Sequence, residues 1–166
     1  MKQKPKIVVV GSGIVGASIA LSCLKLGADL IVLEQNKLGG AASSNSFGWI
    51  NASFAESTAY FDLRSAAVDA FRDLKTELDL NNSVSWQGTL WWEDSGKELE
   101  KQFSILSDRG YTSSLLNKNE IKNLEPNLKE VPEAAIFTPL EGAAEADLVA
   151  TTMLKELSDE GGKVIS

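Results

Sequence analysis

Three glycines and one acid carry the chemistry open to this chain. Gly11, Gly13 and Gly16 stand in a G-x-G-x-x-G spacing, and Glu34 follows Gly11 by 23 positions. Gly11 permits a tight turn, Gly13 offers bare backbone to a pyrophosphate, and Gly16 lets the next helix pack close to a strand. Ser12, Ile14 and Val15 complete the turn. Free N–H groups at the start of a helix, with its dipole, suit phosphates. A carboxylate at Glu34, with Gln35 beside it, accepts hydrogen bonds from both hydroxyls of an adenosine ribose. The same charge disfavours a 2′-phosphate, so NADP is the least suited dinucleotide. The competing reading is a plain glycine turn with a solvated acid. Agreement between strand, glycines, helix and acid favours the dinucleotide.

The elements that must position these residues are written around them. Ile7 to Val10 is a continuous apolar run, as in a strand buried on both faces of a parallel sheet. Ala17 to Leu26 carries Ile19, Ala20, Leu24 and Leu26 on a helical period, and Gly27 stops it. Leu30 to Leu33 is a second apolar strand that delivers the chain to Glu34. The pattern is βαβ.

Bulk properties exclude several classes. The chain has 166 residues, a net charge of −7, no histidine and a single cysteine. Such a charge argues against nucleic acid and anionic membranes as partners. The absence of histidine removes Ser-His catalysis and His-ligated metals, and no cysteine cluster offers a metal site. Cys23 reads as a small packed residue. No apolar run approaches a transmembrane segment and no signal-peptide pattern opens the chain, so a cytoplasmic setting is expected. Chemistry must come from a bound cofactor or from residues outside this chain.

After Glu34 the run Gly39-Gly40-Ala41-Ala42-Ser43-Ser44-Asn45-Ser46-Phe47-Gly48-Trp49-Ile50 is small, polar and aperiodic. Together with Gly11-Ser12-Gly13-Ile14-Val15-Gly16 and Val32-Leu33-Glu34, it resembles the FAD-dependent amine and amino-acid oxidoreductases, which include D-amino-acid oxidase, glycine oxidase and sarcosine oxidase. The resemblance implies FAD as cofactor. It implies contacts from Ser43, Ser44, Asn45 and Gly48 along the pyrophosphate, with Phe47 to Asn51, Trp49 and Ile50 among them, nearest the flavin ring. It implies a small-molecule amine or amino-acid substrate, oxidised at its C–N bond by hydride transfer to flavin. A homo-oligomer, a subunit of a heteromeric dehydrogenase and a peripheral place at an inner membrane all stay open.

The fold implied is α/β, a Rossmann-like FAD-binding βαβ unit with an inserted mixed α+β substrate domain. Residues 1–56 would be the FAD-binding unit and flavin segment, 57–83 a connecting helix, 84–138 part of the inserted domain, and 139–166 an incomplete return. Two or three strands are few for a doubly wound sheet, so the chain reads as the front part of a longer protein that is inactive alone. Two other readings share the glycine turn. One is an NAD-dependent dehydrogenase, which does not call for the Gly39–Asn51 segment. The other is a non-catalytic nucleotide-binding subunit.

Beyond Ile50, residues 56–80 read as a helix capped by Ser57, with Arg64 and Arg72 on a solvated face. Val84 to Glu93 reads as strand interrupted at Gln87-Gly88, with two tryptophans in a core. Ser95 with Glu98 and Asn117 with Glu120 have capping-box spacing. Ala134 to Phe137 reads as a strand, Leu148 to Leu157 as a helix capped by Asp147, and Val164-Ile165 as the start of a strand.

Overall fold

The computed structural model of the chain describes residues 3–92 and 96–166. In chain order the elements are β1 (Lys6–Val10), α1 (Ile14–Lys25), β2 (Asp29–Leu33), α2 (Ala41–Ser44), β3 (Trp49–Ile50), α3 (Thr58–Glu77), β4 (Val84–Ser85), β5 (Thr89–Trp91), α4 (Gly96–Asp108), β6 (Ser114–Asn117), α5 (Lys118–Leu124), β7 (Ala134–Thr138), β8 (Gly142–Ala144), α6 (Ala146–Asp159) and β9 (Lys163–Ile165). The chain divides into two compact units. One comprises Met1–Trp49, Phe71–Ser85 and Ala143–Ser166, the other Ile50–Ala70 and Trp86–Gly142. Among the described residues no helix is long and apolar enough to cross a membrane.

The first unit is built on a parallel sheet of order β1-β2-β9. Its register sets Val8 beside Ile31, Val10 beside Leu33, and Leu33 beside Ile165. Successive residues of a strand face opposite ways. On β2, Leu30 and Val32 are buried, whereas Asp29 and Leu33 are exposed. Helices α1 and α6 pack on one another and account for the buried side. Small residues Ala17 and Ala20 of α1, and Ala150 of α6, are fully buried, which lets the helices approach closely. The other side of the sheet is bare: Val8 is 56% exposed, Val10 82% and Ile165 54%. Ile19 and Leu26 are exposed as well, so α1 buries Ala17, Ala20 and Leu21 rather than the larger residues its sequence suggests.

Helices α1, α4 and α6 end alike. Each is followed by a glycine at positive φ (Gly27, Gly110, Gly161), whose N–H, with that of the next residue, returns to the last-turn carbonyls. This is the Schellman arrangement, and a side chain at such a φ is disfavoured. Asp147 does not cap α6. That place falls to Glu145, without a side-chain bond, and Asp147 instead accepts from the N–H of Leu148 at 3.0 Å.

The second unit carries an antiparallel sheet of order β5-β7-β6. Strands β6 and β8 were not apparent from the sequence, because short strands declare themselves only through their partners. Ala52, Phe61, Val68, Leu99, Leu106, Tyr111 and Ile136 form its buried core, with Trp86 and Trp91 packed against it. Trp92 is exposed. The Asn117 capping box forms: Asn117 Oδ1 accepts from the N–H groups of Asn119 and Glu120, and Glu120 Oε2 accepts from the Asn117 N–H at 2.8 Å. Ser57 Oγ accepts from the Tyr60 N–H at 3.2 Å, as an N-cap should. Ser95 lies outside the described residues. The solvated face expected for Arg64 and Arg72 is not found. Arg64 Nε donates to the Asn51 carbonyl at 3.1 Å, and its guanidinium also binds the Asn51 side chain and lies over the Tyr60 ring. Arg72 is half-buried.

One buried acid holds this unit together. Glu141 is fully buried. Its Oε1 accepts from the N–H groups of Ala52 and Ser53 at 3.1 and 3.0 Å, from the Ser53 hydroxyl, and from Tyr111 at 3.3 Å, while Oε2 accepts from Thr138 at 3.0 Å. The carboxylate thus ties the segment after β3 to the turn after β7. Glu141→Ala would leave several buried donors unpaired and should cost about 3 kcal/mol or more. Urea unfolding measures this, and a loss under about 1 kcal/mol would show that the network is dispensable.

Candidate dinucleotide site

The turn after β1 brings backbone against backbone. Gly11 has φ +100 and donates its N–H to the Leu33 carbonyl at 2.8 Å. A Cβ on Gly16 would lie 2.0 Å from the Gly11 carbonyl oxygen, so only glycine lets α1 begin here. A Cβ on Gly13 would meet Ser43 Oγ at 3.1 Å, and one on Gly40 would meet Gly13 Cα at 2.7 Å. The room left by Gly13 is therefore shared with the chain's own Gly39–Ser43 segment.

The first turn of any helix has N–H groups without intrahelical partners. In α1 the first to bond back is Ala17, to the Gly13 carbonyl at 2.9 Å. Ile14 N–H donates to Ser43 Oγ at 3.0 Å. The N–H groups of Gly13, Val15 and Gly16 are thereby left as the donor set at the positive end of the helix dipole. Val15 itself points outward, 69% exposed.

Glu34 stands at the tip of β2. Its Oε2 accepts from the Ser12 hydroxyl at 2.7 Å and from the Ser12 N–H at 2.9 Å. Its Oε1 accepts from the N–H groups of Gln35 and Asn36 at 2.9 and 3.0 Å. These bonds, the Ser12 hydroxyl first, then the Ser12, Asn36 and Gln35 amides, hold its carboxyl at about 2 against an ordinary 4.5. Beside it, Val10, Gly11, Leu33, Glu34 and Gln35 line a cleft of about 400 Å³. Its wall carries apolar side chains and one carboxylate.

The remaining sequence-derived residues divide. Ser43 is buried and reaches the turn. Ser44 and Asn45 are exposed at the end of α2, where Ser44 Oγ donates to the Gly40 carbonyl and Asn45 Nδ2 to the Ala41 carbonyl, each at 2.7 Å. Their side chains thus close a one-turn helix. Gly48 has φ +61, and a Cβ there would sit 1.8 Å from the Ala144 carbonyl oxygen, so backbone pairing with β8 requires it. Trp49 and Ile50 form β3, and Ile50 belongs to the second unit. Gly39 and Gly40 open the run that carries the resemblance but were assigned no contact of their own, and the structure brings both to the turn. Both have positive φ, and a Gly-Gly pair just after a strand was the available clue.

Parallel strands, a glycine turn opening a helix, and an acid at the tip of the neighbouring strand define a Rossmann-type dinucleotide-binding unit. A model of the family described as FAD dependent oxidoreductase matches residues 6–166. The chain belongs to that family, whose cofactor is FAD. It is 28% identical over 159 residues to a Caenorhabditis elegans protein bearing the name "Putative sarcosine oxidase", covering 94% of this chain and 41% of that protein. Glycine oxidase from Geobacillus kaustophilus superposes with a TM-score of 0.86 at 21% identity, over 99% of this chain and 47% of that one. L-proline dehydrogenase from P. horikoshii superposes with a TM-score of 0.82 at 24% identity, over 100% of this chain and 45% of that one. At these identities the two structures speak for the fold alone. The chain spans less than half the length of these relatives.

Two outcomes follow from the geometry. Gly16→Ala should abolish FAD uptake or unfold the first unit, read by flavin fluorescence alongside circular dichroism; wild-type affinity would contradict the packing. For Glu34, a folded-state value below the unfolded one means stabilisation that is full above pH 4.5 and lost as pH falls towards 2. The stability gap between wild type and Glu34→Gln should therefore be widest above pH 4.5 and close on acidification. A gap independent of pH would remove the Ser12 and amide bonds as its cause.

Proposed function

We propose that this chain is the dinucleotide-gripping portion of an FAD-dependent oxidoreductase that oxidises the C–N bond of an amino acid or secondary amine of the D-amino-acid, glycine or sarcosine type. The observation that carries the reading is the turn itself. Three N–H groups stand at the start of α1 with no room at Gly16 for any other residue, and Glu34 lines a cleft with Val10, Gly11, Leu33 and Gln35. FAD, when bound, would supply acceptance of the hydride equivalent from the carbon next to the amine. The chain's own residues would do the holding. Gly13, Val15 and Gly16 present N–H groups to a pyrophosphate, Val10 and Leu33 offer apolar surface to the adenine, and Glu34 and Gln35 face the sugar.

The names of the relatives support an amine or amino-acid substrate, since one is called a sarcosine oxidase and another is a glycine oxidase. The family match favours FAD over a nicotinamide nucleotide. We assign residues 84–138 to the substrate side of the whole protein. For its setting we propose the cytoplasm, with a peripheral place at an inner membrane as the alternative.

Titration of the purified 166-residue chain with FAD, followed by flavin fluorescence and absorbance, tests this reading. Saturable uptake that is lost on Gly16→Ala, without bleaching when sarcosine, glycine or a D-amino acid is added, is the expected result. Tight stoichiometric uptake with amine-dependent bleaching would refute the view that these residues grip but do not turn over. No uptake at all would refute the dinucleotide site.

A further inference from the structure

We propose that Ser12 is a positioning residue whose buried hydroxyl locks the Glu34 carboxylate and the Gly39 backbone into one receptive arrangement for the nucleotide. The proposal rests on the FAD reading above.

Ser12 is fully buried, so its hydroxyl meets only protein. Its oxygen lies 2.7 Å from Glu34 Oε2 and 3.2 Å from the nitrogen of Gly39. A hydroxyl has one proton to give. The Gly39 N–H can only donate, so it must point at the Ser12 oxygen, and the Ser12 proton must point at Glu34. The direction of the chain Gly39 to Ser12 to Glu34 is fixed by chemistry alone.

All four groups on Glu34 are donors: the Ser12 hydroxyl and the N–H groups of Ser12, Gln35 and Asn36. None can accept a proton back while serving as it does here, so the acid is kept ionised. Among the described residues Glu34 enters no ion pair, and the nearby Lys37 is 3.9 Å from Asp147 instead. The hold on Glu34 is therefore made of hydrogen bonds, with the Ser12 hydroxyl first among them.

Three separate pieces of chain meet at this one oxygen: the turn after β1, the tip of β2, and the segment leading into α2. That last segment also places Gly40 against Gly13 and Ser43 on the Ile14 N–H. The Oε2 bonds are part-buried, whereas those from Gln35 and Asn36 to Oε1 are exposed. Ser12 thus secures the inner oxygen and leaves the outer one, with its two exchangeable amide bonds, as the edge on which sugar hydroxyls can compete. Ser12 does not line the cleft, and both its N–H and its hydroxyl are directed at Glu34. Its influence on the nucleotide passes through Glu34 and Gly39.

Ser12→Ala breaks two bonds at once. It leaves the Gly39 N–H without its acceptor and Oε2 with a single donor. Charge-assisted bonds are about twice as strong as neutral ones, so FAD affinity of the 166-residue chain should fall roughly tenfold. A double-mutant cycle with Glu34→Gln supplies the readout a merely structural role would not move. If Ser12 acts through Glu34, the loss in S12A/E34Q is clearly smaller than the product of the two single losses. In the absence of FAD, the Glu34 carboxyl resonance of S12A should titrate above its wild-type position, towards the ordinary 4.5. Should S12A melt too low to assay, Ser12→Cys, close in size and a weak donor, replaces it. Multiplicative losses, an unmoved Glu34 titration, or unchanged FAD affinity despite a moved titration would each overturn the proposal. Wild type that takes up no FAD sinks the proposed function, and the titration then still decides whether Ser12 governs Glu34.

Discussion

In the turn after β1 there is no space for a single added carbon atom. The Gly11 carbonyl lies so close to Gly16, in the first turn of α1, and Gly13 so close to the returning Gly40, that a methyl group on Gly16 or Gly40 would overlap backbone. Backbone cannot yield as the end of a flexible side chain can. This contact decides where α1 starts, and with it the direction in which the unpartnered N–H groups point. Everything assigned to the site, from the Ser43 bond to the cleft beside Glu34, is arranged around that closeness. The clearest functional statement about the chain is thus a steric one, and electrostatics then act on geometry already imposed.

How much of this could be read from residues alone depended on distance along the chain. β1, the glycine turn, α1 and β2 were legible because each is announced locally, by an apolar run, a spacing or a stop. So was the Asn117 box, where cap and partner are three residues apart. In α1 the small Ala20 was legible as a packing residue and is fully buried, whereas Ile19 and Leu26, expected on the same face, are exposed and Ala17 packs in their stead. Asp147 has a capping residue's chemistry but stands one position inside the helix.

What sequence could not give was any partnership formed across the chain. Glu141 looked like part of a turn, yet it organises groups up to 89 residues earlier. Arg64 looked like one more charge on a helix, yet its guanidinium is spent on Asn51. Ser12 filled an unspecified place in a motif. In each case the residue type is permissive and only the folded neighbourhood supplies the meaning. Such residues resist motif reading because their bonds run to residues far away along the chain.

The uncovered side of the β1-β2-β9 sheet carries a different lesson. Valines and isoleucines there, beside a β1 edge that pairs with no further strand among the described residues, form a surface that water does not favour. A net charge of −7 keeps molecules apart at a distance but does nothing once two such surfaces touch. Handled alone and concentrated, the chain will tend to clump through this side. Detergents or apolar dyes will find that side first.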